Sequence, residues 1–430
     1  MKSELIKSER IGDEYRKVVH PSGLTIYIYP KKGFCSTYAI FGTNYGSIHT
    51  TFRTGKDKEF IEVPAGIAHY LEHKLFESED GDAFARYAKT GASANAYTSF
   101  HSTCYLFSCT ENFEDSLKIL LDFVQSPYFT EQTVQKEQGI IGQEIKMYDD
   151  DPEWKVMFNL LGAMYHRHPV KIDIAGSIES ISKITAETLY QCYESFYNLN
   201  NMALCIAGNV DTDNVLSLID EGLKQSTPTP LVESSFPEEP KEVVTTRIEQ
   251  QFAIAVPMFE LGFKETANSR PSVKELAQTD ILLELFASKS SPLYQTLLEK
   301  NLINASSFSF QYFEGPGYAS VIFSGESRNP DEAAKLIRDA ADQLHRDGID
   351  QKAFENAKKT VYGKTLSSFN SADNIANLLI DFAFSGRELF SYIDEIAEAT
   401  PSGVLNRLKK QLLSSYSSLS VVTPMKNKEA

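Results

Sequence analysis

Pro64-Ala65-Gly66-Ile67-Ala68-His69-Tyr70-Leu71-Glu72-His73-Lys74-Leu75 is the stretch on which the reading of this chain turns. Pro64 stands where helices start, and Ile67, Ala68, Leu71 and Leu75 follow at helical spacing. His69 and His73 are four apart, so on a helix their rings share one face. A catalytic Zn²⁺ takes three protein ligands and keeps one position open. Glu72 lies between the two histidines, able to reach a water on such a metal without being a ligand itself. That is the position of a general base acting on an acidified water. The pattern H-x-x-E-H inverts the H-E-x-x-H zinc motif. The bland alternative is an amphipathic helix with two chance histidines. Tyr70, Leu71, Leu75 and Phe76 weigh against it, because they predict a buried helix. Two histidines and a glutamate are costly there without a partner such as a metal.

A third ligand is needed, and Glu144 is the best candidate. It ends Lys136-Glu137-Gln138-Gly139-Ile140-Ile141-Gly142-Gln143-Glu144, within a helical pattern from Glu131 to Tyr148. Glu137 and Glu144 are seven apart and face one side of that helix. Gly139 and Gly142 each cost a helix about 1 kcal/mol. The expectation is that they are kept for close approach of the metal helix. Spacing alone leaves open that both glutamates are ordinary surface charges.

Outward from the motif, Gly23–Pro30 and Ser36–Phe41 read as strands, and Ala94–Cys109 as one or two more. Asp115–Gln125 reads as a helix. Gln225–Lys241 holds Pro228, Pro230, Pro237 and Pro240, which leaves little room for a helix or a central strand. It is taken as a linker between an N-terminal domain, 1–224, and a C-terminal one, 242–430. The second half repeats the order of elements: a strand at Phe252–Val256, helices at Ser272–Ser288 and Pro292–Lys300, and strands at Ser306–Gln311 and Ala319–Ser324. This hints at a duplicated α+β domain. His166-Arg167-His168 reads as polar surface, Trp154 with Met157 and Phe158 as packing, and Glu314-Gly315-Pro316-Gly317 as a turn.

The chain has 430 residues with 42 basic and 58 acidic side chains, a formal charge of −16. An acidic surface repels phosphate backbones, so nucleic acid is not an expected partner. No apolar run is long enough to span a membrane. The charged start, Met1-Lys2-Ser3-Glu4, shows no secretory signal. Five cysteines without C-x-x-C spacing fit a reducing compartment. The expected location is the cytoplasm.

His69-Tyr70-Leu71-Glu72-His73, Asn95-Ala96-Tyr97-Thr98-Ser99 and the Lys136–Glu144 run resemble the pitrilysin/insulinase family of inverzincins. Its members include the β subunit of the mitochondrial processing peptidase. The resemblance is strongest to processing-peptidase-like zinc subunits of Bacillus-type bacteria. Met147-Tyr148-Asp149-Asp150 and Pro169–Gly176 extend it, and the second half carries it weakly. The resemblance implies two homologous α+β domains, each a mostly antiparallel sheet packed with helices, forming a half-shell. It implies a zinc metalloendopeptidase with one Zn²⁺ per chain. His69, His73 and Glu144 match the metal ligands, Glu72 the base, and Glu137 a glutamate that supports the ligands from behind. Asn95 and Ala96 match the strand that binds the substrate peptide as an added β-strand.

Two departures stand out. His101 occupies a position where many members have glutamate; a polar strand residue is the expectation, and an extra metal contact the alternative. In Glu299-Lys300-Asn301-Leu302-Ile303-Asn304-Ala305, Asn301 and Ala305 replace the Arg and Tyr that serve the substrate backbone and the oxyanion. Losing an oxyanion donor costs about 2.7–4 kcal/mol in the transition state. The implied arrangement is therefore a heterodimer with a related, zinc-less subunit that supplies Arg and Tyr. A homodimer is the alternative. The competing function is a weak or inactive, structural or chaperone-like subunit.

Overall fold

The computed structural model describes residues 1–425 except 56, 58, 80, 225, 226 and 266–269. By contact the chain divides into two units. The first comprises 1–145, 173–235 and 366–390; the second comprises 146–172, 236–365 and 391–430.

The first unit is built on a seven-stranded sheet. From one edge to the other its strands are Lys2–Ser8, Asp13–Val19, Thr25–Pro30, Met202–Gly208, Thr37–Thr43, Thr103–Cys109 and Ser93–Thr98. Only Thr25–Pro30 and Met202–Gly208 run parallel. Alternation along Thr37–Thr43 sends Ala39 and Phe41 to one face, Ile40 and Gly42 to the other. On Phe41's face Tyr105 and Phe107 meet Phe76, Phe113 and Phe123 of the metal helix region and the helix Phe113–Val124. On Gly42's face a Cβ at Gly42 would lie 2.7 Å from Cys104 Sγ and 3.0 Å from the Phe384 ring, which belongs to the helix Ala372–Ser385.

The second unit has a five-stranded sheet in the order Arg247–Phe252, Ser417–Pro424, Met258–Glu265, Tyr318–Glu326, Ser309–Gly315. The outer pair Arg247–Phe252 and Ser417–Pro424 is parallel and the rest antiparallel. Five consecutive strands of the first sheet show the same order and sense, from Thr25–Pro30 to Ser93–Thr98. The halves are thus a duplication. Phe259, Leu261, Phe263, Val321, Phe323, Leu419 and Val421 bury one face against the helices Val273–Ala287, Pro292–Glu299, Pro330–Asp347 and Pro401–Leu408. The other face presents Gly262, where a Cβ would lie 2.3 Å from Met164 Sδ of the helix Pro152–Met164.

The proline-rich stretch is largely irregular and carries only the two-residue strand Glu233–Ser234; its first residues, Gln225 and Ser226, lie outside the described part. Packing nevertheless divides the chain elsewhere. The helix Pro152–Met164 comes from the N-terminal half and covers the second unit's sheet. The helix Ala372–Ser385 comes from the C-terminal half and covers the first. They contact corresponding strands, so the two halves exchange equivalent helices.

Several strand limits differ from the sequence reading. Phe252–Val256 is the bend between Arg247–Phe252 and Met258–Glu265, which run in opposite directions along Ser417–Pro424. Ser306–Gln311 starts too early. Asn304 captures that segment, its carbonyl accepting from Ser307 and Phe308 N–H and its side chain from Ser306 N–H, and the strand begins at Ser309.

His166-Arg167-His168 is not free polar surface. His168 is fully buried; its Nδ1 accepts from Val170 N–H and its Nε2 donates to Pro316 O at 2.9 Å. Burial pushes its pKa down to about 4. Glu239, from the proline-rich stretch, accepts the N–H groups of all three residues and pairs with buried Lys264. All five cysteines are free, and Cys104 and Cys109 are buried. Among the described residues no helix is long and apolar enough to cross a membrane.

Candidate metal centre

The metal helix spans Ile67–Leu75. Gly66 caps it with φ 91°, a left-handed conformation. A Cβ there would sit 2.4 Å from Ala175 O, so glycine is required on both counts. Ile67, Ala68, Tyr70, Leu71 and Leu75 are buried, and this sets the helix's rotation. The glutamate helix, Glu131–Asp149, crosses beside it, tied by the Tyr70 hydroxyl donating to Val134 O. The expected reason for Gly139 and Gly142 does not hold. A Cβ at Gly139 would meet nothing within 4 Å, and one at Gly142 only Ile178 Cδ1 at 3.4 Å. Both glycines face away from the metal helix.

His69, His73 and Glu144 converge, each offering a ligand atom within 4.8 Å of the others. His69 Nε2 is 3.6 Å from Glu144 Oε1, and His73 Nε2 is 3.3 Å from Glu144 Oε2. These separations exceed an ordinary N–H···O bond of about 2.7–3.2 Å. They fit a shared ion: zinc bonds of about 2.0–2.2 Å in a tetrahedron put neighbouring donors roughly 3.3–3.6 Å apart. Two imidazoles and a carboxylate are also the donor types zinc takes in catalytic sites.

Behind the ligands, Glu137 Oε1 lies 2.9 Å from His73 Nδ1 and turns Nε2 toward Glu144. Burial disfavours charge on His73, yet the hydrogen bond to Glu137 and the nearby carboxylates of Glu144 and Glu72 raise its pKa to about 10. His69 is 7% exposed, and its Nδ1 is buried with no hydrogen-bond partner among the described residues.

Glu72 stands beside the three converging groups and is not one of them. Its Oε2 accepts from the Thr98 hydroxyl at 2.8 Å. It lines a cavity of about 600 Å³ with His73, Phe76, Phe84, Asn95 and Ala96. Asn95 and Ala96 lie on Ser93–Thr98, the outer strand of the first sheet. Among the described residues no strand pairs with its other edge, and Ala96 N–H bonds the neighbouring Asn95 Oδ1 at 2.9 Å. The sequence reading did not single out Thr98 for itself, although it stands inside the quoted Asn95–Ser99 run. His101 is set apart: it sits in the turn after that strand, 3.7 Å from Asp381.

In the second unit, Asn301 has φ 52° and ends the helix Pro292–Glu299. Asn301 N–H bonds Leu298 O and Leu302 N–H bonds Leu297 O, the paired bonds of a Schellman cap. Asparagine tolerates that left-handed position better than arginine does, which gives the departure at Asn301 a local backbone reason.

A duplicated α+β fold with two histidines and a glutamate gathered on paired helices defines the class of inverted-motif zinc peptidases. The chain belongs to the insulinase family, peptidase family M16. The family model "Insulinase (Peptidase family M16)" matches residues 54–177, and "Peptidase M16 inactive domain" matches 183–361. The protein named uncharacterized zinc protease YmfH, from Bacillus subtilis (strain 168), is 42% identical over 411 residues, 94% of this chain and 95% of its own. A crystal structure of an M16-like peptidase from Alicyclobacillus acidocaldarius superposes with a TM-score of 0.93 at 35% identity, over 98% of this chain and 100% of that one. Pitrilysin shares the fold at a TM-score of 0.76 and 16% identity, over 98% of this chain but 46% of its own.

Proposed function

We propose that the chain is a zinc endopeptidase that cleaves short or unfolded peptides. The carrying observation is the convergence of His69, His73 and Glu144 at the donor spacing of tetrahedral zinc, beside the free edge of Ser93–Thr98. When bound, zinc supplies a Lewis acid that polarises a peptide carbonyl and acidifies water. His69 and His73 would hold it through Nε2 and Glu144 through its carboxylate, and Glu137 fixes the His73 ring. Ser93–Thr98 binds the peptide by main-chain bonds, with Ala96 N–H released from Asn95. Main-chain pairing needs an extended substrate and tolerates many sequences. Glu72 takes the proton from the attacking water and returns it to the leaving amine.

Removing the Glu137 carboxylate with Glu137→Ala is expected to weaken zinc affinity about 10–100-fold, measured by chelator competition. Unchanged affinity would show that His73 needs no support.

We further propose that a related, zinc-less subunit completes the site. Asn301 and Ala305 stand where the family resemblance calls for Arg and Tyr, and Asn301 is committed to a helix cap. This chain covers 46% of pitrilysin, which leaves room in that longer chain for a second unit of similar size. The test is turnover of an internally quenched peptide by the zinc-loaded chain, alone and mixed with such a subunit. The isolated chain is expected to be slow by about two orders of magnitude, the cost of one missing oxyanion donor. Chelation should abolish the activity of the mixture. Full turnover by the monomer would remove the partner from the scheme, and metal-independent turnover would remove the zinc mechanism.

A further inference from the structure

We propose that Thr98 is a positioning residue for Glu72, an inference that rests on the peptidase reading above. Among the described residues, the bond from Thr98 Oγ1 to Glu72 Oε2, 2.8 Å long, is the only hydrogen bond the Glu72 carboxylate makes. Glutamate has three rotatable side-chain bonds, and a base must keep its free oxygen at one place. Thr98 can impose that because its own frame is fixed. It is the last residue of Ser93–Thr98 and pairs with Thr103. The turn that follows is closed by Ser99 N–H bonding Ser102 O at 2.8 Å, while Ser99 Oγ accepts from Ser102 N–H at 3.0 Å. The turn is then pinned from outside: Ser47 N–H bonds Ser99 O and Ile48 N–H bonds Phe100 O, each at 3.0 Å. Gly46 comes so close that a Cβ would lie 2.4 Å from Ser99 O. A β-branched side chain on a strand has few χ1 options, so the hydroxyl follows the backbone.

The consequence is a shared reference. Thr98 is two residues from Ala96, on the same face of the same strand. The element that sets the register of an added peptide also holds Oε2 of the base and leaves Oε1 for the proton. A peptide seated along this strand therefore meets a carboxylate already oriented toward its scissile bond.

Thr98→Val keeps the shape and deletes the donor; Thr98→Ser keeps the donor. In the zinc-loaded protein, assayed with its completing subunit on an internally quenched peptide, Thr98→Val is expected to lower kcat about 10–100-fold. Its KM and zinc content should stay near wild type, since the interaction matters in the transition state. Thr98→Ser should recover most of the loss. A crystal structure of Thr98→Val should show the Glu72 carboxylate leaving its single orientation. Equal damage in the serine and valine variants, a loss confined to KM, or an unmoved Glu72 would overturn the proposal. Failure of the peptidase reading looks different: the wild type would then bind zinc and cleave nothing, while the crystal structures would still report whether Thr98 orients Glu72.

Discussion

Zinc-loaded protein carrying Glu72→Gln is expected to keep its metal and to lose about 10²–10⁴-fold in kcat, the contribution of a well-placed general base. The substitution is nearly isosteric. An amide oxygen can still accept from the Thr98 hydroxyl, so the side chain has a reason to stay in place. His69, His73 and Glu144 are untouched, and Glu137 still backs His73. The one property removed is the ability to take and return a proton. This separates the two functions the sequence leaves in competition. A structural subunit would be indifferent to Gln at position 72 and would have no turnover to lose. Metal analysis run beside the kinetics guards the conclusion. If zinc leaves with the carboxylate, Glu72 supports the metal instead; if zinc stays and kcat falls less than about tenfold, proton transfer lies elsewhere.

The residues of this centre were legible in the sequence because helical spacing fixes which side chains share a face. His69 with His73, and Glu137 with Glu144, each needed only one helix to be read correctly. What brings the two helices together was not legible: it depends on Tyr70 reaching Val134 and on the apolar face of Ile67–Leu75. The reason offered for Gly139 and Gly142 failed for the same cause, since a glycine's neighbours are a tertiary fact. Thr98 was hidden by chemistry of another kind. A threonine at the end of a strand is ordinary until the carboxylate it faces is known. Duplication showed only as an order of elements, and the exchange of Pro152–Met164 for Ala372–Ser385 left no local trace, because both are plain amphipathic helices. His168 misled because Arg167 and His166 beside it are polar, and the rings that pack against it, Phe236 and Tyr318, lie far along the chain.

The second unit holds a group whose loss should matter to stability as much as Glu72 matters to turnover. Arg407 meets Glu265 in a two-pronged pair, Nη1 to Oε1 at 2.5 Å and Nη2 to Oε2 at 2.8 Å. The side chains are 3% and 8% exposed. Thr279, Tyr312 and Gln411 take up further donors and acceptors of the pair. In the first unit Arg53 Nε and Nη2 both donate to Glu233 Oε2, but with exposures of 35% and 60%. Water screens that pair, so breaking it should cost at most about 1 kcal/mol. Breaking the buried pair leaves a guanidinium in the interior without its bonded countercharge and with only the more distant Glu275 to offset it, which costs about 3–5 kcal/mol. Glu265→Gln is therefore expected to lower the melting temperature by roughly 6–20 °C, and Glu233→Gln to leave it nearly unchanged. The double substitution Glu265→Met with Arg407→Met removes both charges and should recover a good part of the loss, since a buried pair adds little over apolar packing. If Glu265→Gln melts like Glu233→Gln, water reaches Arg407 in solution. The second unit would then be held by its apolar core alone, with Phe259, Leu261 and Phe263 carrying what the ion pair is credited with here.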